Sequence, residues 1–564
     1  MRRFGGLFTS LGMLGLGVLL AGASCGQAER PPDPVPQEPA GPSFRLGVIT
    51  DLEGTLEPCG CTSRPLGGID RMASRVRSLN GDGVPMLLVA AGSLLFDGLS
   101  HGDVESGAAG GQEVLEAQTL AGILGRIGLT AATLGRADLS QGLTALGEAT
   151  RELRVPLLAE GLTVGTGEAA SRLAEPRIER LGGVAVGIFG VADLRGPDGS
   201  LPEGVTAAGD PRQWARRAAE ALRRQGAEVV VALVSGDRRT ARQVAAAIGG
   251  PSFVILGGVS SAEPIPPFSV GESWVLSAGR QGQRLLVVDV FRRGDGAFAD
   301  ASEWTRAAQQ EHLRERINDL RERIAQWEQA GTAEATDMAG QRARLERMER
   351  ELAALERTEP AAGNRFEARL EELAPDSTRD REIYDVMAEL DRRVNEHNRE
   401  AFADLVPAPA PPGQARYVGT AACRRCHERA DRWWRGTPHG RAYATLVDRS
   451  KEFNLSCVGC HVTGYGQPGG STVTHNLEGA LVDVGCESCH GPASRHVARA
   501  RQPGLVTTEV PESVCVGCHT PEHSDLFDYE EYRSRLIVRG HGRPPGAAGD
   551  DEDDDDHGGA DHDD

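Results

Sequence analysis

Four copies of Cys-x-x-Cys-His fall in the last 150 residues: Cys423-Arg-Arg-Cys426-His427, Cys457-Val-Gly-Cys460-His461, Cys486-Glu-Ser-Cys489-His490 and Cys515-Val-Gly-Cys518-His519. A segment that repeats two thiols and an imidazole at this spacing is committed to a prosthetic group before it is committed to a fold. The motif is that of c-type haem attachment, in which both thiols form thioethers to the vinyl groups and the adjacent histidine reaches the iron. Cys-x-x-Cys is also half of a structural zinc site, but zinc does not call for a histidine after every second cysteine. Four covalently bound haems are therefore expected. The segment is rich in Gly and Pro and short of long apolar periodic runs, so porphyrin should supply much of its core and haem loss should cost it most of its structure.

A low-spin iron needs a second axial ligand. Between Tyr417 and Tyr529 stand eight histidines: the four proximal ones of the motifs, His427, His461, His490 and His519, and four others, His439, His475, His496 and His523. That is one distal candidate per haem, with a plain surface position as the alternative for each. Two histidines make a six-coordinate centre suited to electron transfer, whereas an open position lets iron bind a small substrate. His541, His557 and His562 lie in or beside a Gly/Asp-rich tail, outside this set.

Haem attachment to such motifs requires export, and the start of the chain agrees. Met1-Arg2-Arg3, an apolar stretch from Leu7 to Leu20 and Ala21-Gly22-Ala23 have the three parts of a secretory signal. Leu-Leu-Ala-Gly-Ala-Ser-Cys resembles a bacterial lipoprotein cleavage box that would place a lipid on Cys25, although Gly22 stands where leucine is usual. Ordinary signal cleavage is the alternative. The expected location is outside the cytoplasmic membrane, periplasmic or on the outer membrane of a bacterium.

Composition marks the joints: a signal over 1–25, a Pro-rich tether over 26–43, a first domain over 44–300, a helical spacer over 301–405, a Pro-rich linker over 406–415, the haem domain over 416–540 and an acidic tail over 541–564. In the first domain, apolar runs such as Phe44 to Ile49, Met86 to Ala90, Val184 to Phe189, Val229 to Val234 and Leu285 to Val290 alternate with helical patterns. This predicts a layered α/β fold with function at the loops after strand ends.

Those loops hold Thr50-Asp51-Leu52-Glu53-Gly54, Ala91-Gly92-Ser93 and Leu134-Gly135-Arg136-Ala137-Asp138. With Leu56-Glu57-Pro58-Cys59-Gly60-Cys61 and Gly67-Gly68-Ile69-Asp70-Arg71, the region resembles the calcineurin-like metallophosphatases, in particular their 5′-nucleotidase branch. The resemblance implies a two-metal phosphoesterase site built on Asp-x-His, Gly-Asp and Gly-Asn-His-Asp/Glu, with later histidines. This chain departs from it: Glu53 replaces the first histidine, Ser93 the aspartate, Arg136 and Ala137 the Asn-His pair, and no histidine occurs between His101 and His312. Asp51 remains in place, with Glu53 as an oxygen substitute and Asp138 closing the third motif. A weakly held divalent ion is the most such a set could bind, and two-metal hydrolysis is not expected. The domain is expected to bind or dock. Cys59 and Cys61, one residue apart, admit a soft-metal or redox role or a structural one.

The spacer is expected to be a helical hairpin with a heptad seam of Leu313, Ile317, Leu320, Ile324 and Trp327 against Met338, Leu345, Met348, Leu352 and Leu355, followed by a third helix over 381–402 with Ile383, Val386, Met387, Leu390 and Val394 on one side. Dimerisation through the seam is the alternative to a plain spacer. With 61 Lys and Arg against 81 Asp and Glu the net charge is −20, which argues against nucleic acid as a partner. The aspartate-rich tail reads as solvated, and basic redox proteins could be steered to it.

The haem segment from Tyr417 to about Tyr532 looks like the cytochrome c-554 type of tetrahaem protein. The resemblance rests on Tyr417-Val-Gly-Thr-Ala-Ala-Cys423, Trp433-Trp434-x-x-Thr-Pro-His439, Gly485-Cys486-Glu-Ser-Cys489-His490-Gly-Pro and His519-Thr-Pro-Glu-His523. It implies haems packed in close pairs, mostly with two histidine ligands, that carry electrons in respiratory nitrogen chemistry. It also implies that one haem can be five-coordinate and able to act on a small nitrogen compound. The leading expectation is an electron carrier between redox protein partners; a haem enzyme and a 5′-nucleotidase-like phosphoesterase are the alternatives.

Overall fold

The computed structural model describes residues 41–58, 63–98, 106–165, 173–259, 264–330, 335–356, 363–475, 481–521 and 523–536, without the side chains of 106–110 and 335. The expected signal, residues 26–40 of the expected tether, Cys25, Cys59, Cys61, and the acidic tail with its three histidines lie outside these residues. Two sheets stack face to face. The larger runs in the order β15 (Ala299–Asp300), β16 (Arg365–Glu372), β14 (Arg284–Phe291), β1 (Phe44–Thr50), β2 (Met86–Ala91), β3 (Leu129–Thr133), β4 (Leu157–Leu158) and β6 (Leu173–Ala174). The smaller runs β12 (Phe268–Val270), β13 (Ser273–Leu276), β11 (Ser252–Gly257), β10 (Val229–Ser235), β8 (Val184–Ala192) and β7 (Arg177–Leu181). A ribbon of β5 (Leu162–Val164) and β9 (Val205–Ala207) lies beside them.

Strand periodicity builds the layers. In β1 all seven residues are buried, because Phe44, Leu46 and Val48 face the other sheet while Ile49 faces helices. Phe44, Val186, Val231, Phe253, Val288 and Phe366 fill the space between the sheets. On the outer side of the larger sheet lie α1 (Ile69–Asn80), α2 (Ser106–Arg126) and α3 (Gly142–Ala149). On the smaller lie α4 (Pro211–Arg224), N-capped by Asp210, and α5 (Arg238–Ile248), N-capped by Asp237. The parallel strands β1 to β3 and β8, β10 and β11 all end on one rim, which places the loops after them together.

Two expectations for 301–405 are corrected. Residues 365–372 form a strand, β16, that pairs antiparallel with β14 over eight residues. Phe366 and Ala368 turn into the intersheet core while Glu367, Arg369 and Glu371 alternate with them, so the period is two and not 3.6. The apolar stripe of the last helix, α8 (Arg381–Ala401), packs on α1 and α2 as part of the α/β core. The α/β region therefore runs past residue 300, and the hairpin of α6 (Glu303–Ala330) and α7 (Ala335–Leu355) is an insertion between β15 and β16 of one sheet rather than a link between the two ends of the chain.

Leu313, Ile317, Leu320 and Ile324 of α6 are buried with Met338 and Met348 of α7, while Trp327, expected in the same seam, is exposed. Arg314–Glu356, Arg321–Glu349 and Glu328–Arg342 are ion pairs at 3.2, 2.5 and 2.5 Å. Each step of seven along α6 is met by seven back along α7, which fixes an antiparallel register. The apolar seam is thus occupied within the chain. Beyond residue 402 the chain forms helices of eight residues or fewer around a sparse apolar set that includes Leu446, Val458, Val462, Val473 and Leu481.

Candidate functional site

In each motif a helical turn sets the two thiols three residues apart and the histidine next to the second. The N–H of His427 donates to the carbonyl of Cys423 (3.0 Å), and that of His519 to Cys515 (2.9 Å). The second motif lies within Leu455–His461, capped by the Asn454 side chain, and the third forms Cys486–His490. Residues i, i+3 and i+4 of a helix share one face, so each motif presents two sulfurs and an imidazole together. The third motif adjoins both the first and the fourth, with Cys423 beside Cys486 and Cys489 beside Cys515, while Cys518 of the fourth lies beside Cys460 of the second. Glu487, buried inside the third motif, accepts the N–H groups of Val418 (3.0 Å), Gly419 (2.7 Å) and Ala493 (2.8 Å) and so fastens the entry to the first motif onto the third.

Two of the four distal candidates face a motif histidine. His427 and His496 lie with ring centroids 6.2 Å apart and planes 28° apart; His519 and His439 lie 6.1 Å apart at 67°. Two metal–nitrogen bonds of about 2 Å each, with the distance from nitrogen to ring centre on both sides, give about 6 Å. The two separations are those that an iron held between two imidazoles would require. Carbonyl and hydroxyl groups fix the other ring nitrogens: His461 Nδ1 bonds Ala442 O (2.6 Å), His490 Nδ1 bonds Thr507 O (2.5 Å) and His519 Nδ1 bonds Ser524 Oγ (3.0 Å). Such partners orient a ligating histidine and leave Nε2 for the metal. Burial and the neighbouring His519 hold His439 below the usual imidazole range, favouring the neutral form that ligates. His475 is half-buried and shares hydrogen bonds with Thr472, whereas His523 is exposed with Nδ1 on Thr520 Oγ1 (2.9 Å). Among the described residues neither opposes His461.

The loops at the rim of the α/β sheets use their carboxylates internally. Asp51 Oδ1 accepts the N–H groups of Gly258 (2.7 Å) and Ser93 (3.1 Å), and burial pushes its carboxyl up to about 7. Gly92 has φ +89, and a Cβ there would lie 2.0 Å from Asp51 Oδ1, so only glycine allows this approach. Glu53 pairs with Arg280 at 2.6 Å. Asp138, lifted to about 6 by burial, accepts N–H groups from Leu94, Leu95 and Gly135 at 2.7 to 2.9 Å. Arg136 donates to the carbonyls of Leu194 and Ser200, and Ser93 Oγ accepts from Ala137 N–H. Main-chain donors and guanidinium groups thus take the carboxylate lone pairs that a metal site would use. No group of three His, Cys, Asp or Glu suited to a metal ion occurs among the described residues. Asp51 (φ 46) and Glu53 (φ 52) both hold left-handed backbone, on the order of 1 kcal/mol of strain each.

Sequence reasoning missed the contact between the two regions. Lys451, the only lysine in the sequence, sits six residues before Cys457 and pairs with Glu57 (2.5 Å) and Asp391 (3.4 Å). Gln112 of α2 and Asn398 of α8 bond each other (2.6 Å) and the backbone of Leu455 and Phe453. Ser63 bonds Asp525 through N–H and Oγ. Buried amides on two apolar-striped helices were the one available signal.

Residues 422–491 match the family model described as cytochrome c554 and c-prime. Cytochrome c-554 of Nitrosomonas europaea is 34% identical over 105 residues, which are 16% of this chain and 44% of that protein, so the chain spans less than half the length of this relative. The 5′-nucleotidase precursor from Thermus thermophilus aligns with 67% of this chain and 61% of its own, at 15% identity and a TM-score of 0.41. The calcineurin-like phosphoesterase YfkN from Bacillus subtilis aligns with 63% of this chain and 98% of its own, also at 15% and 0.41. The C-terminal region is thus similar to the cytochrome c-554 family over residues 422–491, a family whose description implies c-type haem, and the N-terminal region aligns with calcineurin-like 5′-nucleotidase structures.

Proposed function

We propose that this protein is an exported, lipid-anchored cytochrome that carries four covalently bound haems and passes electrons between redox proteins outside the cytoplasmic membrane. The observation that carries the reading is the opposition of His427 to His496 and of His519 to His439 at about 6 Å, inside segments that each present two thiols. Haem iron supplies the one-electron couple. The chain's own part is to orient the imidazoles, to keep His439 and His519 neutral, and to bring the motifs close together, the third beside the first and the fourth and the fourth beside the second. The α/β region serves as the platform on which the haem region docks, in a phosphoesterase-like fold whose carboxylates are spent on backbone and arginine.

A second reading rests on His461, which faces no other imidazole among the described residues and whose haem would then offer an open position to a small nitrogen compound. One experiment separates the two: haem content per chain, followed by carbon monoxide added to the reduced holoprotein. The carrier reading expects four haems and no spectral response. A haem count below four defeats the tetrahaem assignment, and a response from one haem favours the second reading.

A further inference from the structure

The segment around the first motif reverses the charge of the chain. Arg425 and Arg429 flank His427, while Arg495, Arg499 and Arg501 flank or follow His496; all five are exposed. None makes an ion pair or a side-chain hydrogen bond among the described residues. The acids nearby are already used: Asp431, 5% exposed, takes Arg435 and Arg424, and Glu428 takes Arg432. The two arginine-bearing segments meet in space, since the rings of His427 and His496 face each other at 6.2 Å and Arg416 and Ser494 exchange hydrogen bonds. By contrast, the fourth motif is followed by exposed Asp525, Asp528, Glu530 and Glu531. The α/β region is attached elsewhere, at Lys451 to Leu455 and at Asp525.

We propose that this arginine rim is the docking surface for a small acidic redox protein, which exchanges electrons through the haem of the first motif. The inference rests on the electron-carrier reading and adds to it the port and the charge of the partner. Five unneutralised guanidinium groups on an open surface, in a chain of net charge −20, favour a carboxylate-rimmed protein that can span both segments. Arginine suits this role because its planar fork binds carboxylates in a bidentate way.

The test uses holoprotein and, as the probe, a flavodoxin, a small acidic redox protein. Net charge alone predicts repulsion. The rim predicts binding that weakens with added salt and is at least tenfold weaker in the variant Arg429→Glu/Arg499→Glu/Arg501→Glu. Haem content and absorption spectrum serve as the check that the variant is folded. Failure of the wild type to bind, or equal binding by the variant, overturns the proposal. Rim-dependent retention on phosphatidylglycerol vesicles in place of flavodoxin assigns the rim to a membrane surface and overturns it too. Oxidation of the dithionite-reduced holoprotein by tris(phenanthroline)cobalt(III), a cation, is a separate arm. Each ferrous iron gives one electron to one Co(III), and wild type and variant alike should be oxidised completely, one Co(III) per haem. If the cation draws no electrons from the wild type, the carrier reading fails independently of the rim.

Discussion

Asp51 shows how a residue can keep its place and lose its task. Its carboxyl is held by main-chain N–H groups in a buried loop, and the neutral form is favoured up to about pH 7. Because the folded-state value lies above the ordinary one, the folded protein keeps a proton that the unfolded chain has released. Stability therefore falls as pH rises from about 4 to about 7. Asp51→Asn should match the wild type near pH 4 and exceed it by about 2–4 kcal/mol at pH 8, read from urea midpoints followed by circular dichroism. An Asn variant that loses stability at both pH values would show that the carboxylate charge is needed, as a metal ligand would be. The motif residues were legible because thioether attachment dictates their spacing. That His496 lies against His427 and His439 against His519 was not, because a histidine count carries no information on which loops meet.

At the scale of elements, what escaped the sequence reading is the short strand between long helices. Arg-Phe-Glu-Ala-Arg-Leu-Glu-Glu alternates apolar and charged residues, yet it stands between charged helical segments and holds only eight residues. Phe366 is fully buried, with its ring 5.4 Å from Phe253 and 5.1 Å from Trp274. Phe366→Ala should cost about 3–5 kcal/mol of α/β stability, whereas Trp327→Ala on the exposed end of α6 should cost under about 0.5 kcal/mol. Thermal melts of the two variants compare them directly, and equal losses would place residues 365–372 outside the sheet. The strands of the parallel core were legible because burial on both faces writes them as continuous apolar runs. The heptad steps of α6 and α7 were legible too, although Trp327 was assigned to a seam that ends before it.

Across the whole molecule, the haem region is held to the α/β region by polar contacts set beside the second motif. Lys451 is mostly buried between Glu57 and Asp391, and burial lifts Asp391 to about 6. Lys451→Met would leave two carboxylates facing each other without their cation, weakening the contact by about 2–3 kcal/mol. The expected result is faster proteolysis of the linker around Val406 to Gly413 with no change in haem spectrum; unchanged cleavage would mean that the amide contacts suffice. Composition marked the linker but not this contact, since one lysine has no pattern. Its solitude gives the chain a built-in reporter. A reagent that acylates ε-amines has a single target in these 564 residues, shut between the two regions, and it ignores the chain's guanidinium groups. How fast that amine is acylated then reports the opening of the two regions, and equals the rate at which they part once the reagent is concentrated enough to outpace reclosing.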